Sequence, residues 1–407
     1  MVNIKPFKGT RPYKENAENL IAPSTDHLSE EGIIDIFENN YWNYLKILNP
    51  VGQTKEKDSL KAAKKHFSEM KENHIIKKDN KAGYYVYQIQ TSSHVQVGFL
   101  AITNINSYLL HEIKGHELTF KKRTLERAEQ MLNLKSQIGP IYVTYEDQNE
   151  LDDFLFQLTL TTPQYDFFAF DKSQHTLWCI DDNSDIKKLT SFVKIIDSLY
   201  IADGHHRIAA MKKISDIKAS KNKNHTGLEK YNYFMISAFP SSKSKIYDYN
   251  RVIKDLNGLT IKDFLSSIKN NFDCFSKSNP VKPTKSREFG MYHDNQWYLL
   301  KFKNDHLLKE DIISKLDIKI IEDYCLKTIL GIKDVVSDER IRFVAGCHGL
   351  ESLEKKVNEN PNSVAFSFYP TKIEDVINVA NNKLTMPPKS TWFDPKPLDG
   401  LVVYEFS

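Results

Sequence analysis

Several features that would assign the chain to a familiar class of protein are missing. No apolar run approaches the ~18 residues that a membrane-spanning helix requires, and the N-terminus shows no signal segment. The four cysteines are far apart and form no Cys-x-x-Cys pair, so neither a zinc knuckle nor a redox dithiol is indicated. These absences predict a soluble protein of the reducing cytoplasm, with no membrane partner.

An excess of charge of either sign is missing as well. The 407 residues include 56 Lys and Arg against 53 Asp and Glu, which leaves a net charge of +3. This balance gives no general attraction to nucleic acid. The composition therefore argues against a nucleic-acid partner, and it leaves the oligomeric state open.

Three common motifs are also missing: the GxSxG nucleophile elbow, the glycine-rich dinucleotide fingerprint and the Walker phosphate loop. The chain instead alternates strand-like and helix-like segments, which predicts an α/β or α+β fold with mixed sheets. Its length indicates two domains. We place them at 1–240 and 241–407, because a strongly β stretch ends there at Pro-Ser-Ser.

The spacing of apolar residues predicts individual elements. It predicts helices over 29–48, with Ser29 as N-cap, over 55–74 and over 311–329. It also predicts a hairpin of 84–89 with 95–102, a hairpin around Asp294-Asn295 and a last strand over 401–406.

One stretch combines a chain reversal with reactive side chains. Residues 199–210 read LYIADGHHRIAA, an apolar strand that breaks at Asp203-Gly204 and resumes as a helix. Glycine there lets a ligand approach the backbone, and the start of the helix attracts anions. Each residue alone also suits an ordinary helix start, but a carboxylate, two imidazoles and a guanidinium together predict phosphate or metal–phosphate chemistry. We call residues 203–207 the phosphate turn.

A second candidate segment contains Lys114, His116 and Glu117, just before a helix that we expect from about residue 121. The metal-binding spacing HExxH is absent, so the signal is weak. The structural alternative stays open: Thr119 caps the helix, and Glu117 is merely exposed.

A third candidate segment is Pro-Pro-Lys-Ser-Thr at 387–391, which offers a cation and two hydroxyl groups on a stiff loop. Its structural alternative is a rigid loop that packs Trp392 and Phe393 into the core.

Four motifs in this order resemble a known family. The chain reads IKPFKGTRP at 4–12, His-Glu-x-Thr at 116–119, ADGHHR at 202–207 and MPPKSTWFDPK at 386–396. Together they resemble the bacterial and archaeal family called domain of unknown function 1015. That family usually has Pro-Pro-Tyr-Asp where this chain has Pro-Ser-Thr-Asp, which retains Asp26.

The phosphate turn is also similar to the turn at which members of the ParB/sulfiredoxin superfamily bind nucleotide, including a free-serine kinase with a similar Asp-Gly-His-His-Arg sequence. The resemblance implies a ParB/sulfiredoxin-like nucleotide-binding core and a C-terminal lobe whose 386–396 loop returns to the site. It also implies serine metabolism. Sulfinic acid reduction is not expected, because Asp203 and His205 stand where sulfiredoxins place their cysteine.

Residues and resemblance together predict an enzyme: a nucleotide-dependent phosphotransferase (a kinase) acting on a small hydroxylated metabolite, with free serine as the first candidate. The expected cofactors are Mg²⁺ with ATP or ADP, and Asp203 is the expected metal ligand. The predicted catalytic residues are Glu117 as general base, Asp203 and His205. The predicted phosphate- and nucleotide-binding residues are Gly204, His206, Arg207, Arg11, Lys389, Ser390 and Thr391, and the predicted substrate pocket contains Lys114, His116 and Asp26.

Two alternatives remain at this stage. One is a metal-dependent phosphatase or other hydrolase, whose ligands would be His116, Glu117, Asp203, His205 and His206. The other is a non-enzymatic nucleotide-binding regulator or a ParB-like DNA-associated one, which the near-neutral charge disfavours.

Overall fold

The computed structural model describes residues 1–22, 30–48 and 56–406. The chain groups into two compact units. The first consists of Met1–Gly115, Thr119–Ser244 and Pro395–Ser407, and the second of His116–Leu118 and Lys245–Asp394. The central segment of the first unit therefore ends four residues beyond the predicted division at 240, and the C-terminal tail groups with the first unit.

The first unit is built on a mixed sheet. Its strands up to residue 240 are β1 Ile4–Lys5, β2 Thr10–Pro12, β3 Ile76–Lys78, β4 Tyr84–Thr91, β5 His94–Asn104, β6 Ile113–Lys114, β7 Ser136–Gln137, β8 Ile141–Tyr145, β9 Tyr165–Phe168, β10 Gln174–Ile180, β11 Leu199–Asp203 and β12 Tyr233–Pro240. The large sheet has the order β6-β11-β8-β12-β5-β4-β10-β9, and β1 pairs with β5.

The centre of this sheet is buried on both faces. Strands β8 and β12 run parallel to each other, and every residue of both is buried. Such strands need nearly continuous apolar sequence, which Ile-Tyr-Val-Thr-Tyr and Tyr-Phe-Met-Ile-Ser-Ala-Phe supply. Strand β11 lies between β6, to which it is parallel, and β8, to which it is antiparallel, so its end is fixed from both sides.

Helices accompany the sheet. In the described part of the first unit they are α1 Ala17–Leu20, α2 Glu30–Asn39, α3 Leu45–Leu48, α4 Glu56–Glu72, α5 Ile105–Leu109, α6 Lys121–Leu134, α7 Asn149–Thr159, α8 Asn183–Val193 and α9 His205–Lys221. The α/β prediction is confirmed by this arrangement, as is the β4–β5 hairpin, whose register closes at Thr91 and His94.

The prediction of one continuous helix over 29–48 was wrong, because the chain turns between α2 and α3. The Asn43 side chain accepts a hydrogen bond from the Leu45 N–H and donates to the carbonyl oxygens of Asn19 and Ile21. A side chain that bonds local backbone groups competes with helix continuation. The predicted N-cap, Ser29, lies outside the described residues.

The second unit is built on an antiparallel sheet of order β15-β17-β16-β19-β14-β18. Its strands are β13 Ile246–Tyr247, β14 Tyr249–Ile253, β15 Phe272–Lys277, β16 Glu288–His293, β17 Gln296–Phe302, β18 Ile341–Ala345, β19 Val364–Phe368 and β20 Trp392–Phe393, and its α-helices are α10 Ile261–Ile268, α11 Asp317–Ile321, α12 Glu351–Asn358 and α13 Ile373–Asn381. The predicted hairpin around Asp294-Asn295 is confirmed.

Two element predictions were too long. The helix expected over 311–329 starts only at α11, because the Asp311 carboxylate accepts from both the N–H and the hydroxyl of Ser314 and forms a local turn. It then continues as a π-helix over Glu322–Lys327. The last strand, expected over 401–406, is limited to β21 Tyr404–Glu405, which pairs with β7 in the first unit.

Candidate functional site

The phosphate turn connects the buried strand β11 to the 17-residue helix α9. Gly204 is the N-cap, with φ of +101°, a conformation that other residues rarely adopt. Its carbonyl oxygen accepts hydrogen bonds from the N–H groups of Arg207 and Ile208, 2.8 and 3.1 Å away. Because no side chain caps this helix, its positive N-terminal end is available to an anionic group.

Asp203 ends β11, and its side chain is 43% exposed. Lys396 lies on the C-terminal tail, and its Nζ is 3.3 Å from Asp203 Oδ1. Partial burial opposes ionisation, but the charges of Lys396 and Arg207 outweigh it and lower the pKa of Asp203. The carboxylate is therefore ionised at neutral pH and can take a metal ion or a hydroxyl proton.

Arg207 is fixed by two acceptors. Its Nη1 donates to the carbonyl oxygen of Pro140 at 2.8 Å, and its Nη2 donates to Asp399 Oδ2 at 2.6 Å. The ion pair between Arg207 and Asp399 requires glycine at position 139, because a Cβ on Gly139 would lie 1.8 Å from Asp399 Oδ1 and 2.4 Å from Arg207 Nη1. Burial favours the neutral guanidine, but Asp399 and Asp203 outweigh it and raise the pKa of Arg207.

The two histidines of the turn differ in environment. His205 is buried, and burial lowers its pKa to about 4, so its ring is neutral at pH 7. His206 faces helix α6: its ring stacks on Phe120 with centroids 5.9 Å apart, and its Nδ1 is 3.4 Å from the Thr124 hydroxyl. His205 can act as a neutral donor or acceptor, whereas His206 is aligned by α6.

Lys114 is placed beside the same strand. It ends β6 in register with Tyr200 of β11, and its Nζ is 5.5 Å from the centroid of the Tyr200 ring. Gly115 follows, and a Cβ there would lie 3.0 Å from His205 Cδ2, so this backbone packs closely against the imidazole.

The hydrogen-bond partners of Arg11 lie outside the phosphate turn. Its Nε donates to Asp79 at 2.8 Å and its Nη1 donates to the Tyr165 hydroxyl at 3.1 Å. These partners lie before β4 and on β9, so the hydrogen bonds of Arg11 do not go to the phosphate turn. Asp26 lies outside the described residues.

The remaining predicted residues belong to the second unit, where two of the predicted segments meet. His116 Nε2 lies 3.1 Å from the Thr391 hydroxyl, and the His116 carbonyl oxygen accepts from the Met386 N–H at 2.9 Å. Ser390 bonds internally to the Pro387 carbonyl oxygen, and Lys389 Nζ is 5.4 Å from the ring centroid of Tyr249. Glu117 is in the same unit.

Thr119 does not cap the following helix. Helix α6 begins at Lys121 after Phe120, and no side chain caps it. The structural alternative was therefore wrong about Thr119, but its other part is confirmed, because Glu117 is exposed.

Sequence reasoning missed three charged residues around the turn: Lys396, Asp399 and Arg127. Lys396 closes the MPPKSTWFDPK motif, which was a usable signal, and Asp399 follows three residues later. Arg127 lies on α6 and carried no signal, because an arginine in a polar helix is ordinarily exposed. Asp399 and Arg207 are 192 positions apart, so no local pattern could reveal their pairing.

Among residues 1–22, 30–48 and 56–406, no three His, Cys, Asp or Glu side chains are grouped so that they could hold a metal ion. No helix within these ranges is both long enough and apolar enough to cross a membrane.

Fold and site together define a mixed α/β protein with a cationic strand-to-helix turn. The chain belongs to the family described as protein of unknown function (DUF1015), whose model matches residues 4–319. The match confirms the resemblance to domain of unknown function 1015, although the MPPKSTWFDPK motif lies beyond the matched range. None of the curated proteins matches the chain.

Several solved structures show distant similarity. SbnI from Staphylococcus aureus, truncated at its C-terminus, has a TM-score of 0.39 at 10% identity, covering 72% of this chain and 82% of that one. A mutant free serine kinase in complex with ADP has a TM-score of 0.36 at 13% identity, covering 74% and 92%. A conserved hypothetical protein from Pyrococcus furiosus has a TM-score of 0.33 at 11% identity, covering 72% and 90%. At these scores the similarities assign neither substrate nor activity to this chain.

Proposed function

We propose that this protein is a nucleotide-dependent phosphotransferase that acts on a small hydroxylated metabolite, with free serine as the first candidate. The observation that carries the proposal is the phosphate turn. An ionised, half-exposed Asp203 stands at the uncapped start of a long helix, between the cations Lys396 and Arg207. Phosphoryl transfer depends mainly on positioning and charge neutralisation, and this arrangement supplies both.

The nucleotide phosphates are held at the start of α9. The positive end of the α9 dipole attracts an anion there, and Lys396 adds a positive charge. Arg207 already donates to Asp399 and Pro140, which fixes the plane of its guanidinium. Its remaining N–H groups can donate to phosphate oxygens without further ordering of the side chain.

Asp203 fits the role of a Mg²⁺ ligand, because it is an ionised and partly exposed oxygen donor. Mg²⁺ bound with the nucleotide would neutralise charge on the phosphate oxygens. Asp203 would supply only one of the oxygen ligands that Mg²⁺ requires. Nucleotide phosphates and water would supply the others, which is usual for this ion.

Glu117 keeps the role that the sequence suggests, general base for the acceptor hydroxyl. In the proposed reaction the hydroxyl oxygen attacks the terminal phosphorus of the nucleotide and its proton passes to Glu117. The bond from phosphorus to the bridging oxygen breaks, and the nucleotide leaves with one phosphate fewer. Lys389, Ser390 and Thr391 keep their predicted role in phosphate binding, and His116 and Lys114 their role in the substrate pocket.

The test is to incubate the purified protein with ATP or ADP, Mg²⁺ and a panel of amino acids, and to search for phosphorylated products by mass spectrometry. We expect a product 80 Da heavier than its acceptor, with serine first. Arg207→Ala should reduce its formation at least tenfold, and Glu117→Gln should do so with little effect on nucleotide affinity. Absence of any thermal shift with either nucleotide, together with no product, would overturn the proposal.

A further inference from the structure

Arg127 is a second guanidinium group beside the phosphate turn. It projects from α6, a helix that packs against α9, and its side chain is half-buried. In the parts of the chain that the structure describes, its one hydrogen bond goes to a neutral group, Gln130 Oε1, at 3.0 Å. Gln130 is itself anchored, because its Nε2 donates to the carbonyl oxygens of Ile47 and Leu48.

The nearby acids are already paired. Asp399 bonds to Arg207 at 2.6 Å and Asp203 pairs with Lys396 at 3.3 Å. No carboxylate of the described residues lies within 4.0 Å of the Arg127 guanidinium. The charges of Asp399, Asp203 and Glu126 therefore act on Arg127 only from a greater distance, and none of these acids is paired directly with its guanidinium.

Arg127 and Arg207 are close enough to repel each other. Both line one cavity, which they share with the Gly139 backbone and whose volume is about 20 Å³. Burial first, and then repulsion from Arg207, lower the pKa of Arg127 and outweigh the opposing charges of Asp399, Asp203 and Glu126. A partly buried cation without a directly paired carboxylate is unfavourable, so this pair of guanidinium groups is suited to an anion that both can contact.

We propose that Arg127 and Arg207 together bind the terminal phosphate of the nucleotide. This inference rests on the proposed function and specifies it: the site selects nucleotides by the number of their phosphates. Guanidinium groups bind phosphate oxygens in two-pronged fashion, and two of them from different helices fix the position of one phosphoryl group. The shared cavity has room for about one water molecule, so the phosphate lies against the exposed edges of the guanidinium groups.

The test compares the dissociation constants of AMP, ADP and ATP by calorimetry for wild type, Arg127→Gln and Arg127→Lys. We expect wild-type affinity to rise from AMP to ATP. Arg127→Gln should weaken ATP binding tenfold or more while changing AMP binding less than threefold, and Arg127→Lys should recover part of the loss. Arg123→Gln is the matched control: this exposed arginine lies four residues earlier on α6, over the ring of Phe120, and its removal should change no affinity.

Thermal midpoints without ligand separate binding from folding. Burial and repulsion from Arg207 together outweigh the attraction of the surrounding carboxylates for the charge of Arg127, so Arg127→Gln should melt at or above the wild-type temperature. A purely structural role would lower the midpoint and leave the affinity ratio between ATP and AMP unchanged, which would refute the inference.

Inorganic tripolyphosphate separates this inference from the proposed function. If wild type binds tripolyphosphate through Arg127 but binds no nucleotide, the anion site stands and the kinase proposal is wrong. If nucleotides bind and Arg127→Gln leaves ATP affinity intact, only the role of Arg127 is wrong. If wild type binds neither ligand, both proposals are wrong.

Discussion

Both nitrogens of the His175 ring are engaged inside the first unit. Nδ1 lies 2.6 Å from the Tyr87 hydroxyl and Nε2 lies 2.7 Å from the Ser173 hydroxyl. Phe167 stacks on the ring, and Asp171 is the acid that acts on it electrostatically. Burial dominates and lowers the pKa of His175 to about 4, so the ring is neutral in the folded protein at pH 7.

This burial makes stability depend on pH. Unfolded His175 titrates near 6.5 and folded His175 near 4, so the unfolded state binds the extra proton between these values. We expect the free energy of unfolding to be insensitive to this group above pH 7 and to fall by up to about 3 kcal/mol as the pH drops to 4. Urea unfolding at pH 7 and pH 5 measures the change.

The matched variants are His175→Gln and His306→Gln, because His306 is exposed. His175→Gln should reduce the difference in unfolding free energy between pH 7 and pH 5, whereas His306→Gln should leave it as in wild type. Equal pH dependence in all three proteins would show that His175 is not the responsible group.

The site itself shows what the sequence can specify at residue scale. The strand-to-helix turn at Asp203 to Arg207 could be predicted from residue type and order, because strand, glycine and helix start are local signals, and the structure has β11 and α9 on its two sides. Their charge partners could not, since Lys396 and Asp399 reach the turn only after the whole chain has folded. Arg127 depends on how α6 packs against α9, which the residue pattern of α6 does not encode.

Among the elements, the β16–β17 hairpin shows a turn whose chemistry is readable from sequence. Asp294 and Asn295 both adopt left-handed backbone conformations, with φ of +46° and +58°. Two-residue hairpin turns require such conformations, and Asp and Asn tolerate them better than other non-glycine residues.

Asn295→Val should therefore lower the free energy of unfolding of the second unit by about 1–2 kcal/mol, because a β-branched residue is strained there. Asn295→Gly is the matched control: both variants remove the weak hydrogen bond from the Tyr292 hydroxyl, but glycine carries no strain and should stay within about 0.5 kcal/mol of wild type. Urea unfolding followed by Trp297 fluorescence measures both. Equal losses in the two variants would contradict the strain argument.

Element predictions failed where a polar side chain redirects the backbone. The apolar spacing over 29–48 is helical, but Asn43 bonds to three backbone groups and turns the chain. The spacing over 311–329 is also helical, but Asp311 and Ser314 form a turn first. The central strands β8 and β12 were predictable because their apolar runs are rich in β-branched and aromatic residues, which favour strands over helices.

For the whole molecule, the notable feature is that the C-terminal tail belongs to the first unit. Val403 exchanges backbone hydrogen bonds with Thr10, at 2.9 and 2.7 Å, and β21 pairs with β7. The tail also carries Lys396 and Asp399 to the phosphate turn. Residues near both ends of the chain thus stabilise one unit.

A chain truncated after Asp394 should lose far more stability than its 13 missing residues suggest, because it loses three ion pairs and a strand. We expect its first thermal transition to fall by more than 10 °C and its nucleotide binding to disappear. Val403→Ala, which keeps the tail but removes two buried methyl groups, should cost only about 1–3 kcal/mol. Differential scanning calorimetry compares the two variants.

Complementation with a peptide tests whether the tail itself stabilises the first unit. A synthetic peptide of residues 395–407, added to the truncated chain, should restore part of the lost melting temperature and binding, whereas the same peptide with Lys396 and Asp399 replaced by Ala should restore less. A truncated chain that melts and binds like the wild type would contradict the assigned role of the tail.

The position of Lys396 and Asp399 also has a consequence for synthesis of the protein on the ribosome. The strand and helix of the phosphate turn are synthesised well before Lys396 and Asp399, so Asp203 and Arg207 lack these two partners when they leave the ribosome. Folding of the first unit can be completed only after residues 395–406 have been translated and have cleared the exit tunnel. Messages that stop before the codon of Lys396 would then yield a first unit without both ion pairs of the turn rather than a completely folded unit.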